Sequence, residues 1–497
     1  MTTLGGLLHD WAVRSGDDIA LVDGELRISY AELDARADRT AAGFAALGIS
    51  PGDRVVVQLP NTADFVVALF GLIRAGAVPV MALPAHRRTE IEHFVRHAEA
   101  VAYVIPDRFG GFDYRNLAAE LDAPSLRHVV VTLPDADVVD LPVADPEDVA
   151  LLLISGGTTG KPKLIPRTHR DYLYNAIASA EVCELTADDV YLVALPAAHN
   201  FPLACPGILG TLAVGGRVVM APSPSPDAAF GIVTRERVTV TALVPPLARL
   251  WRDATGWDAR DLSSLRLLQV GGAKLDAALA GRLRPAVGRQ LQQVFGMAEG
   301  LLNYTRLDDP DGLILTTQGR PLSPDDEIRI VDPHGEPVAA GQVGELWTRG
   351  PYTIRGYYRV PEYNALAFGA DGFYRTGDLV RQLPSGHLIV EGRSKDVINR
   401  GGENVAAGEL EEHLLAHPAV AQVAVIGLPD PTHGEIVCAV ITVTGPEAPR
   451  LKPLKAFLGG RGLARFKLPD RLIVLDDLPL TAVGKIDKKA LATRISA

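Results

Sequence analysis

Cysteine is scarce in this sequence. The 497 residues hold three, Cys183, Cys205 and Cys438, and none sits in a C-x-x-C pair. A disulfide framework and a thiolate zinc site are thereby set aside, and a reducing cytoplasm is the expected setting. Basic charge is short as well: 49 Lys and Arg stand against 60 Asp and Glu, for a formal net charge of -11. A general nucleic-acid binder presents a basic face, so no nucleic-acid partner is expected, although one small basic site for a phosphate-bearing ligand stays open. Long apolar runs are missing too. The most apolar stretch, residues 65–83, is broken by Arg74 and Pro79 and falls short of the ~20 residues a spanning helix needs. Near the start, Asp10 and Arg14 replace the charged n-region and apolar h-region of a secretory signal, so no membrane partner is expected.

What is present is an ordinary packed chain, 47% hydrophobic and 22% charged, whose length suggests about three units at roughly 150 residues each. From residue 50 to about 300, short β-branched runs alternate with amphipathic stretches. Val55–Val57, 78–83 and 102–105 read as strands, with 63–74 and 89–98 as helices. A second series runs through strands at 191–195, 217–220, 240–244 and 265–270, with helices at 228–238 and 275–287. Such alternation predicts an α/β fold with two doubly wound sheets. Residues 313–392 instead read as a small β-rich subdomain, with strands at 327–331 and 344–348 about a Pro-His-Gly turn. After Arg393 a helix at 405–417, strands at 420–428 and 436–443, a helix at 454–459 and a strand at 471–475 suggest a small α+β domain. The expected division is 1–393 and 394–497.

The sharpest motif is Ser155-Gly156-Gly157-Thr158-Thr159-Gly160-Lys161-Pro162-Lys163, directly after the apolar run 149–154. Glycines let backbone approach an anion, hydroxyls donate to phosphate oxygens, and lysines supply positive charge. It is not a Walker A loop, because three residues separate Gly156 from Gly160 and Pro162 follows Lys161. Taken alone it could be a solvated turn. Three other segments carry chemistry in the same way: 292–299, ending a strand with Phe295 before Glu299; 374–378, placing Asp378 after a Gly turn; and 479–485, carrying Lys485 on a Gly loop. Each has a bland alternative: a core Phe, a capping Asp, a solvated Lys.

In this order and spacing the four segments resemble the adenylate-forming superfamily, from about residue 20 to the C-terminus. Three more, Ala198-His199-Asn200-Phe201-Pro202-Leu203, Gln269-Val270-Gly271-Gly272-Ala273-Lys274 and Glu299-Gly300-Leu301-Leu302-Asn303-Tyr304, are similar to its stand-alone aryl-acid–AMP ligase branch. The resemblance implies ATP and Mg²⁺, with a carboxylate attacking the α-phosphorus and a thiol later taking the acyl group. It assigns catalysis to Lys485, Glu299 and His199, with Glu299 as metal ligand. Nucleotide binding falls to Ser155, Gly156, Gly157, Thr158, Thr159, Gly160, Lys161 and Lys163, to Gly271, Gly272 and Ala273, to Phe295, Gly296 and Met297, and to Asp378 and Arg393. It further implies a mobile C-terminal domain hinged at Lys395, whose loop with Gly401, Gly402 and Glu403 replaces Lys485 for the second step.

By the same resemblance the aryl acid meets Asn200, Phe201, Cys205, Gly272, Val294 and Leu302. Cys205 and Leu302 match salicylate enzymes; the 2,3-dihydroxybenzoate branch has Ser and Val there. A thiol is a weak donor, so a 3-hydroxyl placed beside it loses water for a poor partner. Salicylate is therefore the expected acid and an aryl carrier protein the expected acceptor. The alternatives are 2,3-dihydroxybenzoate as substrate, coenzyme A as acceptor, or a nucleotide-binding module without catalysis. The chain lacks some tens of residues that siderophore enzymes usually carry before the match at 4–20.

Overall fold

The alternation of strand and helix becomes two wound sheets in the computed structural model, which describes residues 3–155, 162–284, 286–394, 397–400, 403–430, 434–461, 463, 467–481 and 484–496. Among those residues the larger sheet has nine strands. Its parallel middle runs Ile19–Asp23, Arg217–Met220, Val190–Val193, Val240–Leu243, Leu267–Gly271 and Gln290–Gly296. Antiparallel strands close both edges: Leu26–Ser29 on one, Leu302–Tyr304 followed by Arg320–Pro321 on the other. The second sheet runs Leu164–Thr168, Val149–Ile154, Val78–Met81, Arg54–Val57, Ala102–Val104 and His128–Val130, parallel except for the first.

Burial explains why these runs are continuous rather than alternating. Val190–Val193 and Val240–Leu243 are buried at every position, as strands covered on both faces must be. Helix Ala63–Arg74 is similarly apolar around most of its surface and buries Phe65, Val66, Leu69, Phe70 and Ile73. Each sheet has its own core. Val219, Leu243, Trp251 and Leu268 belong to the larger one, Val56, Val80, Phe94 and Tyr103 to the smaller.

Chain packing divides into two compact units: Met1–Glu327 with Arg349–Tyr374, and Ile328–Thr348 with Arg375–Ala497. Both wound sheets belong to the first. The second holds a four-stranded sheet ordered Glu327–Val331, Gly344–Arg349, Tyr374–Gln382, Leu388–Arg393. It also holds a five-stranded sheet made of Glu403–Ala406, Val397–Arg400, Gly434–Val443, Val420–Asp430 and Arg471–Val474. The pleat splits the last sheet between two cores. Val423, Val425, Val437 and Ile441 face Leu410, Leu414, Leu454 and Leu458, whereas Ala424, Ile426, Cys438 and Val440 face Leu478 and Leu491.

Several local expectations need correction. Residues 403–406 form a strand, and the helix read over 405–417 is Ala407–Leu415. The helix read over 275–287 shrinks to Ala277–Leu283, started by the Asp276 side chain accepting from Leu279 N at 2.9 Å. Asp378 does not follow a turn. It lies inside strand Tyr374–Gln382, where Gly377 adopts φ +70 and the register with Leu388–Arg393 shifts just beyond it, so the glycine re-aims a strand. The first 50 residues, for which no elements were read, supply helix Leu4–Ser15, a hairpin at the edge of the larger sheet, and helix Tyr30–Ala46.

Candidate functional site

The phosphate-loop motif leaves the end of Val149–Ile154 and returns in Leu164–Thr168, its antiparallel neighbour. Ser155 and Lys163 close its neck: Ser155 N donates to Lys163 O at 2.9 Å, and Lys163 N donates to Ser155 Oγ at 2.9 Å. Gly156, Gly157, Thr158, Thr159, Gly160 and Lys161 lie outside the described residues. The Lys163 ammonium sits 3.7 Å from the ring centroid of Tyr363 and 5.7 Å from that of Tyr357, a cation held against aromatic faces.

Tyr357 joins this neck to Glu299. Its hydroxyl donates to Glu299 Oε1 at 2.8 Å and lies 2.8 Å from the Tyr374 hydroxyl. Burial, and then the Glu299 carboxylate, push the Tyr357 phenol upward, which keeps it a donor. The backbone around Glu299 is fixed as well. Ile354 N donates to Glu299 O at 2.9 Å, and the fully buried Arg167 donates from Nη1 to Ala298 O at 2.9 Å. Glu299 is a single carboxylate, and among the described residues no group of three His, Cys, Asp or Glu could hold a metal. That donor set fits Mg²⁺, which takes one or two carboxylates and fills its other positions with water and substrate phosphates. Softer structural metals need more protein ligands.

Parallel pairing sets Gly271 beside Val294, so the Gly271–Ala273 turn and the Phe295–Met297 segment leave adjacent strands at the same end. Ligands of wound sheets bind at such carboxyl ends. Gly272 and Ala273 are exposed, and Gly272 adopts φ +82, which favours glycine. A Cβ on Gly271 would lie 2.6 Å from Val294 O and 3.1 Å from the Phe201 ring, so Phe201 packs directly on this backbone. A Cβ on Gly296 would fall 2.3 Å from Leu302 Cδ2. Phe201, Gly271, Val294, Gly296 and Leu302 are thus brought together.

The other wall comes from helix Asn200–Ala204, with His199 as its cap: Phe201 N donates to His199 Nδ1 at 3.2 Å, which puts the proton of a neutral ring on Nε2. Tyr172 Oη donates to Asn200 Oδ1 at 2.8 Å. Asn200 Nδ2 donates to Cys205 Sγ at 3.4 Å, and that thiol donates to Asn200 O at 3.4 Å. Burial pushes the Cys205 thiol up to about 12, against smaller effects of Asn175, Arg167 and Tyr304. At neutral pH it is a thiol and a weak donor.

The remaining expected residues belong to the second unit. Asp378, almost wholly buried, accepts from Arg393 Nε at 2.8 Å across paired strands, and its N–H donates to Thr376 Oγ1 at 2.9 Å. Lys485 sits in a tight loop, with Lys485 N donating to Thr481 Oγ1 at 3.2 Å and Thr481 N to Lys485 O at 2.6 Å. Gly484 has φ +79 there, so the Gly-loop reading holds. Lys395, Gly401 and Gly402 lie outside the described residues, and only the backbone of Glu403, in strand Glu403–Ala406, is described.

Sequence reasoning missed Arg167, Tyr172 and Tyr357. A signal for two of them was legible. Thr168 and Asp171 form a capping box that starts helix His169–Val182, and Arg167 Nε donates to Asp171 Oδ1 at 2.7 Å. On this helix the polar residues Tyr172, Asn175 and Ser179 fall at i, i+3 and i+7 among buried positions, so three polar groups face a core. Nothing local marks Tyr357.

Residues 8–358 match the family model of the AMP-binding enzymes, and residues 409–485 match that of the AMP-binding enzyme C-terminal domain. The chain belongs to the AMP-binding enzyme family. It is 55% identical to a 2,3-dihydroxybenzoate-AMP ligase of Bacillus subtilis (strain 168), over 99% of this chain and 94% of the relative. It is 53% identical to a salicyl-AMP ligase / salicyl-S-ArCP synthetase of Mycobacterium tuberculosis, over 99% and 91%. Among solved structures, apo MbtA of Mycobacterium smegmatis matches with a TM-score of 0.76 at 55% identity, covering 99% of this chain and 94% of that one. These likenesses bear out the resemblance read from the motifs, down to the aryl-acid–AMP ligase branch.

Proposed function

We propose that this enzyme activates salicylate with ATP to give salicyl-AMP and pyrophosphate, and then passes the aryl group to the phosphopantetheine thiol of an aryl carrier protein in siderophore or antibiotic biosynthesis. In the first step a carboxylate oxygen bonds to the α-phosphorus while the bond from that phosphorus to the bridging oxygen breaks, releasing pyrophosphate. In the second the thiol attacks the carbonyl and AMP leaves. An anion must approach a polyanion, so fixed positive charge has to offset the repulsion.

Lys485 supplies that charge between carboxylate and α-phosphate. The 155–163 loop holds the outer phosphates, and Lys163 adds charge at its neck. Glu299, oriented by Tyr357, would hold Mg²⁺, which when bound neutralises phosphate charge. Gly271, Gly272 and Ala273 with Phe295, Gly296 and Met297 form the adenine edge, and Asp378 accepts from the ribose hydroxyls with Arg393 beside it. His199 caps the helix that presents Asn200 and Phe201 to the ring. The functional division at 393/394, a hinge at Lys395 and an exchange of Lys485 for the Gly401–Glu403 loop complete the cycle, because one lysine cannot occupy the site while a thiol arm enters it. The cytoplasm, with its reduced thiols, suits both the buried cysteines and the carrier arm.

The observation that carries the choice of acid is the Asn200–Cys205 pair. Asn200 offers an amide to an ortho oxygen, and the buried thiol offers a 3-hydroxyl only a weak partner, a loss of roughly 1–3 kcal/mol. The likeness to a 2,3-dihydroxybenzoate-AMP ligase, as high as that to a salicyl-AMP ligase, keeps the dihydroxy acid as the second reading. ATP–pyrophosphate exchange across salicylate, 2,3-dihydroxybenzoate, 3-hydroxypicolinate, anthranilate and benzoate decides between them. Salicylate is expected to give the highest kcat/KM, and an equal or higher value for 2,3-dihydroxybenzoate overturns the assignment.

A further inference from the structure

We propose that the Tyr172 hydroxyl fixes the orientation of the Asn200 carboxamide and so makes Asn200 a one-way donor, selecting carboxylic acids that carry a hydrogen-bond acceptor ortho to the carboxylate. The inference rests on the aryl-acid reading above and deepens it: Tyr172 is a positioning residue that acts through Asn200.

Three hydrogen bonds carry the argument. Tyr172 is fully buried, and its only proton is given to Asn200 Oδ1 at 2.8 Å. Asn200 Nδ2 turns the other way, 3.4 Å from Cys205 Sγ, and the thiol proton goes to Asn200 O at 3.4 Å. Reversing the amide would break this set. Nδ2 would face the phenol oxygen, the buried phenol proton would lose its acceptor, and Oδ1 would face a thiol whose proton is already given away. Leaving a buried donor without a partner is costly, so the amide has one favoured orientation. Burial pushes the phenol well above its ordinary range, so it stays protonated wherever the enzyme works.

Helix geometry explains why Tyr172 can serve this role. It lies in the first turn of His169–Val182, one position after the capping Asp171 that also holds the buried Arg167 guanidinium. The Arg167 guanidinium in turn lies 4.7 Å from the Tyr172 ring centroid. The ring is held from its base and its face before any ligand arrives, which is the preorganisation a selective polar contact needs.

The ligand chemistry follows. With Oδ1 engaged, the Asn200 side chain offers the pocket N–H only. In an ortho-hydroxy acid the phenol proton bonds internally to the carboxylate, leaving lone pairs on the phenol oxygen to accept from Nδ2. An ortho-amino acid spends its N–H groups the same way, but its nitrogen lone pair is delocalised into the ring and accepts poorly. An acid with no ortho group leaves Nδ2 with the thiol alone.

The test is pyrophosphate exchange on the full chain, with Tyr172→Phe, Asn200→Ala and the double variant. Each is assayed with two acid pairs, salicylate against benzoate and 2,3-dihydroxybenzoate against 3-hydroxybenzoate. For an ortho-hydroxy acid that the unaltered enzyme activates, Tyr172→Phe is expected to lower the ratio of its kcat/KM to that of its partner about tenfold, mainly through KM. On the Asn200→Ala background the same change should leave that ratio where Asn200→Ala put it. Equal losses on both members of a pair, as loosened packing would give, overturn the inference while the aryl-acid reading stands. An unaltered enzyme that activates neither ortho-hydroxy acid overturns both. If Tyr172→Phe does not fold, the unaltered chain still answers: salicylate should exceed anthranilate in kcat/KM by about tenfold or more, and parity or reversal overturns the inference.

Discussion

The acid pocket and the Lys485 loop make opposite use of hydrogen bonds. In the first unit, side chains far apart in sequence meet: the buried Tyr172–Asn200 bond spans 28 residues and the part-buried Tyr357–Glu299 bond spans 58. Lys485 is tied into its own loop over four residues, by Lys485 N donating to Thr481 Oγ1 and Thr481 N donating to Lys485 O. Long-range buried bonds fix a shape that only the whole fold can hold. A loop closed by bonds between near neighbours carries that part of its shape with it. On the proposed function, recognition of the acid falls to the packed scaffold and the charge that enables reaction to a portable piece.

The largest effect that could break this contrast is loss of the portable charge. Lys485→Ala is expected to lower aryl-AMP formation in pyrophosphate exchange by at least about 100-fold, while transfer from supplied aryl-AMP to the thiol changes only a few-fold. Equal losses in both steps would mean that the lysine supports the fold instead.

A second test concerns the stability of the scaffold. Asp326 accepts from Tyr352 Oη at 2.7 Å, and the same hydroxyl accepts from Leu302 N at 3.1 Å, tying this carboxyl to the pocket wall. Burial pushes Asp326 up from 3.8 to about 6, opposed by the Tyr352 bond. The folded state therefore holds its proton more tightly than the unfolded one. The stability this gives is fully present below about pH 4 and is lost as pH rises through about 6. Asp326→Asn should flatten that slope, gaining roughly 2–3 kcal/mol relative to the unaltered protein between pH 4 and pH 7 in urea unfolding. A parallel pH profile would remove Asp326 from this role.

The smallest effect sharpens the contrast within the scaffold. Tyr357→Phe deletes the donor to Glu299 while keeping the ring against Lys163. About a five- to tenfold rise in the Mg²⁺ or ATP needed for half-maximal exchange is expected, with melting nearly unchanged. No shift in either requirement would show that Glu299 is held well enough by its backbone.

Much of the candidate site is proposed from motifs whose special residues are local in sequence. The Gly/Thr loop, the Gly271–Ala273 turn, the Phe295–Glu299 run and the Gly484–Lys485 loop each keep their special residues within a few positions. The wound sheets were legible for a related reason: parallel strands buried on both faces must be continuous apolar runs. The N-terminal hairpin escaped notice because its partner is Arg217–Met220, nearly 200 residues away. Asp378 read as a turn residue because Gly377 looks the same in a turn and in a strand bulge.

By itself, then, the sequence determined which groups are available and how the backbone bends near each one, since steric freedom, charge and periodicity act over a few residues. Only the tertiary structure decided what those groups can do. It turned the Asn200 amide, set a phenol on Glu299, and pushed the Cys205 thiol up to about 12. Orientation and proton affinity depend on what lies nearby in a medium from which water has been excluded, and that neighbourhood does not exist until distant segments pack together.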